Sequence, residues 1–258
     1  MSTPRPSPRP VGPPHRFWRV AARTPLRALA AGDGDHPIVM FPGFAMRPEV
    51  YTATAAELVA RGASVVAFDL FSAPGRWDAE AIEDGSAEIL ERLGAGPATM
   101  VAHSFGGAIL LGLAAARPSL VRTAVFSDTL GLSCGLRLAE EALGLRALLR
   151  LASPPAVLSF ARSVSEHPVT VAGAAWWGYR SHRSAQTDTV ATSGIACHVL
   201  WAERDTLLPR SEGEAFARRL GASFHVIETS DGGPVDHDAM YRHPRRFVAA
   251  LEAVGALA

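Results

Sequence analysis

Cysteine is scarce in this sequence: 258 residues hold two, Cys134 and Cys197, far apart and in unlike contexts. That excludes a disulfide framework and a Cys-x-x-Cys metal or redox pair, and it leaves the redox compartment open. Net charge is lacking as well, since Lys plus Arg and Asp plus Glu come to 25 each. No global field is available to gather nucleic acid or an anionic membrane. The cations are dominated by arginine, a compositional bias shared with Ala, Gly and Pro, to which no function is assigned. Long apolar runs are also missing: no window nears the roughly 18 to 20 consecutive apolar residues of a membrane span. Arg19, Arg23 and Arg27 interrupt the stretch after the Pro/Arg-rich start, so no signal-peptide core is present. These absences predict a cytoplasmic protein with no nucleic-acid partner and no membrane span. They say nothing of oligomeric state.

What is present is a globular composition, 48% hydrophobic and 19% charged, in a chain long enough for one large domain with an ample core. Residues 1–16 read as a disordered leader. Phe17–Ala22 and Leu26–Ala30 are weak strand candidates. From His36 the pattern sharpens: Pro37-Ile38-Val39-Met40-Phe41 is a continuous apolar run closed by Pro42-Gly43, as in a strand covered on both faces. Helix-like 49–60 follows, then apolar 64–70, helical 78–93, apolar 98–102, helical 105–116 and apolar 121–126. A later set adds strand 197–201, helix 211–220, strand 223–227 and a terminal helix over 239–254. This alternation predicts an α/β fold, a mostly parallel central sheet with helices on both faces. Between Gly131 and Gly194 the alternation lapses into Leu/Arg amphipathic stretches and a Trp176-Trp177-Gly178-Tyr179 cluster. We read 131–194 as a helical insertion over a core built from 17–130 and 195–258.

Ligands of an open parallel sheet bind at the carboxyl ends of its strands. The positions there are Gly43-Phe44, Asp69, Ser104, Asp128, Asp205 and the segment around His237. Ala102-His103-Ser104-Phe105-Gly106-Gly107 lies between a buried strand and a helix, the setting of a nucleophile elbow. Small residues two before and two after the serine let the flanking backbones nearly touch. The Phe105 amide, at the helix start, would face a developing oxyanion. The duller reading is a serine capping a helix. Serine needs a base; His237 follows the last strand in a loop before the terminal helix, whereas His103, His225 and His243 have structural explanations. For the carboxylate behind the histidine, Asp205 is preferred to Asp128 on chain order, with Glu203 free to pair with Arg204 instead. Phe44 is the second candidate amide donor, with Ala45 as fallback. A metal held by Asp236, His237 and Asp238 is disfavoured, because neighbours on one loop rarely converge on one ion.

These residues resemble the α/β-hydrolase superfamily, in particular its compact lipase, esterase and epoxide-hydrolase-like branch, over roughly His36 to Val254. The family's His-Gly-Phe loop matches Pro42-Gly43-Phe44, and its Gly-His-Ser-x-Gly-Gly elbow matches Ala102 to Gly107. Its Gly-x-x-Asp-x-x-x-Pro acid loop matches Ala202 to Pro209, and its Gly-His loop matches Asp236-His237. Pro42, Ala102, Ala202 and Asp236 depart from the family's His or Gly; the last puts a carboxylate beside the base that could raise its pKa or compete with Asp205. Serine at 104 separates the chain from the dehalogenases and epoxide hydrolases that use aspartate there. The resemblance implies a serine hydrolase acting on an ester or thioester with a hydrophobic acyl group. Its triad would be Ser104, His237 and Asp205, its amide donors Phe44 and Phe105, and it would need no metal or organic cofactor. It also implies that 131–194 is a cap, with Trp176, Trp177 and Tyr179 lining the substrate pocket. The same fold and triad would serve C–C bond hydrolysis, acyl transfer or a lyase, and a non-catalytic binding member is the reading from another class.

Overall fold

The structure is a computed structural model that describes residues 16–19, 26–129, 153–228 and 235–257, the first four by backbone alone. The expected leader, the first part of the insertion and the glycines before His237 lie outside the described residues. Among the described residues eight strands form one sheet: β1 (Arg16–Arg19), β2 (Arg27–Ala31), β3 (His36–Phe41), β4 (Ala63–Asp69), β5 (Ala98–His103), β6 (Val121–Ser127), β7 (Ala196–Ala202) and β8 (Ser223–Ile227). Their order is β1-β2-β4-β3-β5-β6-β7-β8. Only β2 runs against the rest, pairing antiparallel with β1 and β4.

The apolar runs are continuous because both faces of the sheet are covered. Val39, Phe41, Val66, Phe68, Met100, Ala102, Phe126 and Trp201 point into one layer. It is closed by α2 (Ala79–Leu93), α3 (Gly106–Ala116) and α7 (Arg210–Leu220). Ile38, Met40, Val65, Ala67, Val101, Val125 and Leu200 point into the other. That side is closed by α1 (Thr52–Val59), α8 (Ala239–Arg242) and α9 (Pro244–Ala253). Helix α3 is apolar around most of its circumference and is buried along most of its length, as a helix at the centre of a layer must be.

Two expected helices differ in form. The segment after Gly43 enters α1 through a 3-10 turn, Pro48–Tyr51. The expected terminal helix over 239–254 is two helices, because His243 precedes Pro244 and is driven out of helical geometry, with φ −125° and ψ 56°. In the segment expected as an insertion, the described residues form α4 (Pro154–Glu166), α5 (Pro168–Arg180) and α6 (Ser184–Ala191). Helix α6 packs on α3 and α7 and so belongs to the layer on the sheet, while α4 packs on α5 and on the 3-10 turn. No helix among the described residues is long and apolar enough to cross a membrane. Cys197 sits half-buried on β7, its thiol 3.4 Å from the Ile195 carbonyl and its pKa pushed up to about 12 by burial.

Candidate active site

Strand β5 delivers Ser104 one residue past its end, at φ 50°. The other non-glycine residues with positive φ among those described are Ala45 and Asp128, just beyond β3 and β6. Backbone strain thus collects at the carboxyl ends of three neighbouring strands, each instance worth about 1–3 kcal/mol. The Ser104 amide donates to the Ser127 carbonyl at 3.0 Å, and Thr129 Oγ1 donates to the Ser104 carbonyl at 2.8 Å. The tightness of the turn explains the two glycines. A Cβ on Gly106 would lie 2.3 Å from the Phe41 carbonyl oxygen, and one on Gly107 would lie 1.5 Å from Thr129 Oγ1.

Asp205 and His237 meet although 32 residues separate them: Asp205 Oδ2 accepts from His237 Nδ1 at 2.8 Å, with both side chains buried. The second oxygen of Asp205 accepts from the Leu207 and Leu208 amides at 2.8 and 2.7 Å, which locks the carboxylate in the loop after β7. Burial disfavours its charge, but His237 and these two amides prevail and hold Asp205 below the ordinary carboxylate range. Burial likewise disfavours a charged His237. The charge and hydrogen bond of Asp205, helped by Asp128 and Asp236, outweigh that and raise its pKa to about 9. With Nδ1 given to Asp205, Nε2 is the nitrogen left to accept a proton. Neither Nε2 nor the Ser104 hydroxyl has a partner among the described residues, and no hydrogen bond joins the two in this conformation.

Asp128 takes no part in that pairing. Its Oδ1 accepts from the Ala202 amide at 2.7 Å and its Oδ2 from the Ser127 hydroxyl at 2.9 Å. Burial and the charge of Asp205 push its pKa well up. Asp236 accepts from the Thr206 amide at 2.8 Å and the His237 amide at 2.7 Å, joining the loop after β7 to the loop of His237. Asp238 pairs with Arg242 at 3.2 Å. Asp236, His237 and Asp238 therefore diverge, and no metal-holding group of three or more His, Cys, Asp or Glu occurs among the described residues. Asp69 holds Arg27 of β2 at 3.2 Å, a tie between strands.

The amides of Phe44, Ala45 and Phe105 donate to no described residue. The Phe44 and Phe105 rings meet edge to face at 5.5 Å, so the two loops carrying these amides touch. Around them Phe71, Trp77, Phe160 and Trp177 complete an aromatic cluster, with Trp77 and Trp177 each within 5.5 Å of the Phe105 ring. Trp77 and Trp177 also wall an open cavity of about 710 Å³. Of the three aromatics expected to line a pocket, Trp177 alone joins this cluster. Trp176 lines the outer cavity and stacks on Tyr179, and these two are 61% and 42% exposed. One helical step separates Trp177 from Trp176, which is enough to turn it inward. Sequence reasoning missed Trp77, Phe71 and Tyr51, which come from loops and a short turn where periodicity carries no information.

Residues 38–250 match a family model described as the alpha/beta hydrolase family. No curated protein matches the chain. Among solved structures, a thermophilic esterase from Thermogutta terrifontis is similar at TM-score 0.71 and 19% identity, over 95% of this chain and 99% of that one. A bromoperoxidase from Bacillus anthracis is similar at TM-score 0.73 and 13% identity, over 93% of this chain and 99% of that one. The thioesterase domain from the curacin biosynthetic pathway follows at TM-score 0.66 and 13% identity, over 92% and 98%.

Proposed function

The chain belongs to the alpha/beta hydrolase family, and from that membership we propose that it is a serine hydrolase cleaving an ester or thioester of a hydrophobic acyl group. The observation that carries the reading is the buried 2.8 Å contact of Asp205 with His237 Nδ1, set beside a serine held at φ 50° at the end of β5. Ser104 Oγ bonds to the substrate carbonyl carbon as its proton passes to His237 Nε2. The Phe44 and Phe105 amides stabilise the resulting oxyanion; each such donor is worth a factor of roughly 10² to 10³ in kcat. The imidazolium, steadied by Asp205, protonates the leaving alkoxide or thiolate as its bond to carbon breaks. Water then attacks the acyl-enzyme, giving its proton to His237, and the acid departs as Ser104 regains its hydrogen. Ser104 and His237 close their hydrogen bond in the substrate complex, as catalytic pairs often do only once substrate is bound. The cluster of Phe44, Phe71, Trp77, Phe105 and Trp177 supports a hydrophobic acyl group beside Ser104.

The test is hydrolysis of p-nitrophenyl esters of rising acyl length by the parent and by Ser104→Ala, with fluorophosphonate labelling mapped by mass spectrometry. We expect labelling at Ser104 and a rate loss in the variant by a factor on the order of 10³ or more. Equal ester hydrolysis by both proteins would overturn the assignment. Labelling of Ser104 without ester turnover would move the triad to C–C hydrolysis, acyl transfer or lyase chemistry.

A further inference from the structure

Tyr51, which closes the 3-10 turn, and His103, the last residue of β5, are fully buried polar side chains outside the proposed triad. The Gly43 amide donates to Tyr51 Oη at 3.0 Å, and Tyr51 Oη lies 3.0 Å from His103 Nδ1. His103 Nε2 lies 2.8 Å from the backbone carbonyl oxygen of His237. A carbonyl can only accept, so His103 carries its hydrogen on Nε2. Burial, with the neighbouring His237, pushes the His103 pKa down to about 3, which leaves the ring neutral and Nδ1 a bare acceptor. Tyr51 must then donate to Nδ1 and keep a lone pair for Gly43; burial raises its phenol pKa, so that proton stays on. Every direction is fixed: Gly43 N–H to Tyr51 O–H to His103 Nδ1, and His103 Nε2–H to the His237 carbonyl.

The two ends of this chain are informative. Gly43 immediately precedes Phe44, whose amide is the proposed oxyanion donor, and the far end grips the backbone of the proposed base. The middle runs through the residue next to Ser104. Gly43 also lies directly on the elbow, since a Cβ there would be 3.0 Å from His103 Nδ1 and 3.5 Å from Ser104 Cβ. The imidazoles of His103 and His237 are 5.0 Å apart between centroids. We infer that Tyr51 and His103 are positioning residues: their hydrogen-bond chain sets the oxyanion-loop amide and the His237 backbone at fixed places on either side of Ser104. This inference rests on reading Ser104, His237 and Asp205 as a triad. A misplacement of about 1 Å in such a site can cost on the order of 10²-fold in rate.

The experiment compares the parent with Tyr51→Phe, His103→Gln, His103→Ala and the Tyr51→Phe/His103→Ala double variant. It reads kcat and KM on the best p-nitrophenyl ester, the rate of fluorophosphonate labelling at Ser104, and histidine ¹⁵N shifts by NMR. Tyr51→Phe removes one oxygen and is expected to lower kcat and the labelling rate together by about ten- to a hundredfold, with KM unchanged. His103→Gln, which keeps a donor for the His237 carbonyl, should recover part of the loss seen in His103→Ala. The double variant should be little worse than His103→Ala, because one chain is broken once. Parent-like kcat and labelling in a folded Tyr51→Phe protein would overturn the inference, as would a loss confined to KM. In the parent, His103 should give the Nε2–H tautomer without titrating between about pH 5 and 9, and Tyr51→Phe should shift the His237 resonances. The Nδ1–H tautomer, or unmoved His237 resonances, would also overturn it. If the parent neither turns over esters nor takes the probe, the triad reading fails, while the NMR comparison still decides whether Tyr51 and His237 are linked.

Discussion

Two buried carboxylates, Asp205 and Asp128, stand near His237, and their hydrogen bonds divide the work between them. Asp205 turns one oxygen to the imidazole, whereas Asp128 spends both on the Ala202 amide and the Ser127 hydroxyl. Asp205→Asn is expected to cost on the order of 10⁴ in kcat, because the amide presents the wrong partner to Nδ1. Asp128→Asn, which keeps an acceptor for Ala202, should stay within about tenfold of the parent; steady-state kinetics on the two variants decides between the acids. The same geometry fixes a pH dependence. As the proposed base, His237 must be neutral to accept the Ser104 proton, and its folded pKa is raised to about 9. The profile of kcat/KM should therefore rise with pH, its midpoint above the ordinary imidazole value and near 9, and Asp205→Asn should move that midpoint down. Ser104 and Asp205 were legible as candidates because each stands just past an apolar run, and His237 because it lies in the loop between the last strand and the terminal helix. Trp177 could not be told from Trp176 there, since neighbouring residues of a helix are assigned to inside or outside by packing.

At the scale of elements, the elbow depends on what it must pass. Gly106 slides beneath the Phe41 carbonyl, a rigid backbone neighbour, while Gly107 meets the Thr129 side chain. Gly106→Ala should destabilise the fold by about 1–3 kcal/mol or more, read as a lowered urea midpoint. Gly107→Ala should be partly relieved by Thr129→Ala, which removes the obstructing hydroxyl but leaves the Ser104 carbonyl without that donor. The alternation of strands and helices was visible in the sequence because a sheet covered on both faces needs unbroken apolar runs. The breaks within helical segments were less so. The 3-10 entry at Pro48–Tyr51 and the interruption at His243 are set by prolines whose effect on the preceding residue is local, while the surrounding hydrophobic period runs on. Tyr51 had no signature, because its partners Gly43 and His103 are brought to it by the parallel pairing of β3 with β5.

Across the whole molecule, two arginines help tie the segment that carries α4 and α5 to the elements around the sheet. The Arg47 amide, in the loop after Gly43, donates to Ser159 of α4 at 2.8 Å, and its guanidinium pairs with Glu166 at the end of that helix. On the far side Arg183 pairs with Glu83 of α2 at 2.6 Å and lies over the Trp177 ring at 4.8 Å. Burial raises the Glu83 carboxyl to about 7 even though Arg183 pulls the other way. Between the unfolded value of 4.5 and that value the folded state holds the extra proton. Stability should therefore fall as pH rises through this window, by on the order of 3 kcal/mol. Urea midpoints of the parent near pH 5 and pH 7 should show the drop, and Glu83→Gln should flatten it.

The thiol of Cys197 offers a view of the same molecule in motion. It lies half-buried on β7, between β6 and β8, with its pKa pushed up to about 12. At neutral pH the folded protein presents almost no thiolate there, and alkylating reagents need the thiolate. In a Cys134→Ser protein, iodoacetamide would therefore capture Cys197 chiefly from molecules whose C-terminal strands have parted. The speed of that capture reports how often the half of the sheet that carries the Asp205 loop opens, on a timescale that neither equilibrium unfolding nor turnover measures.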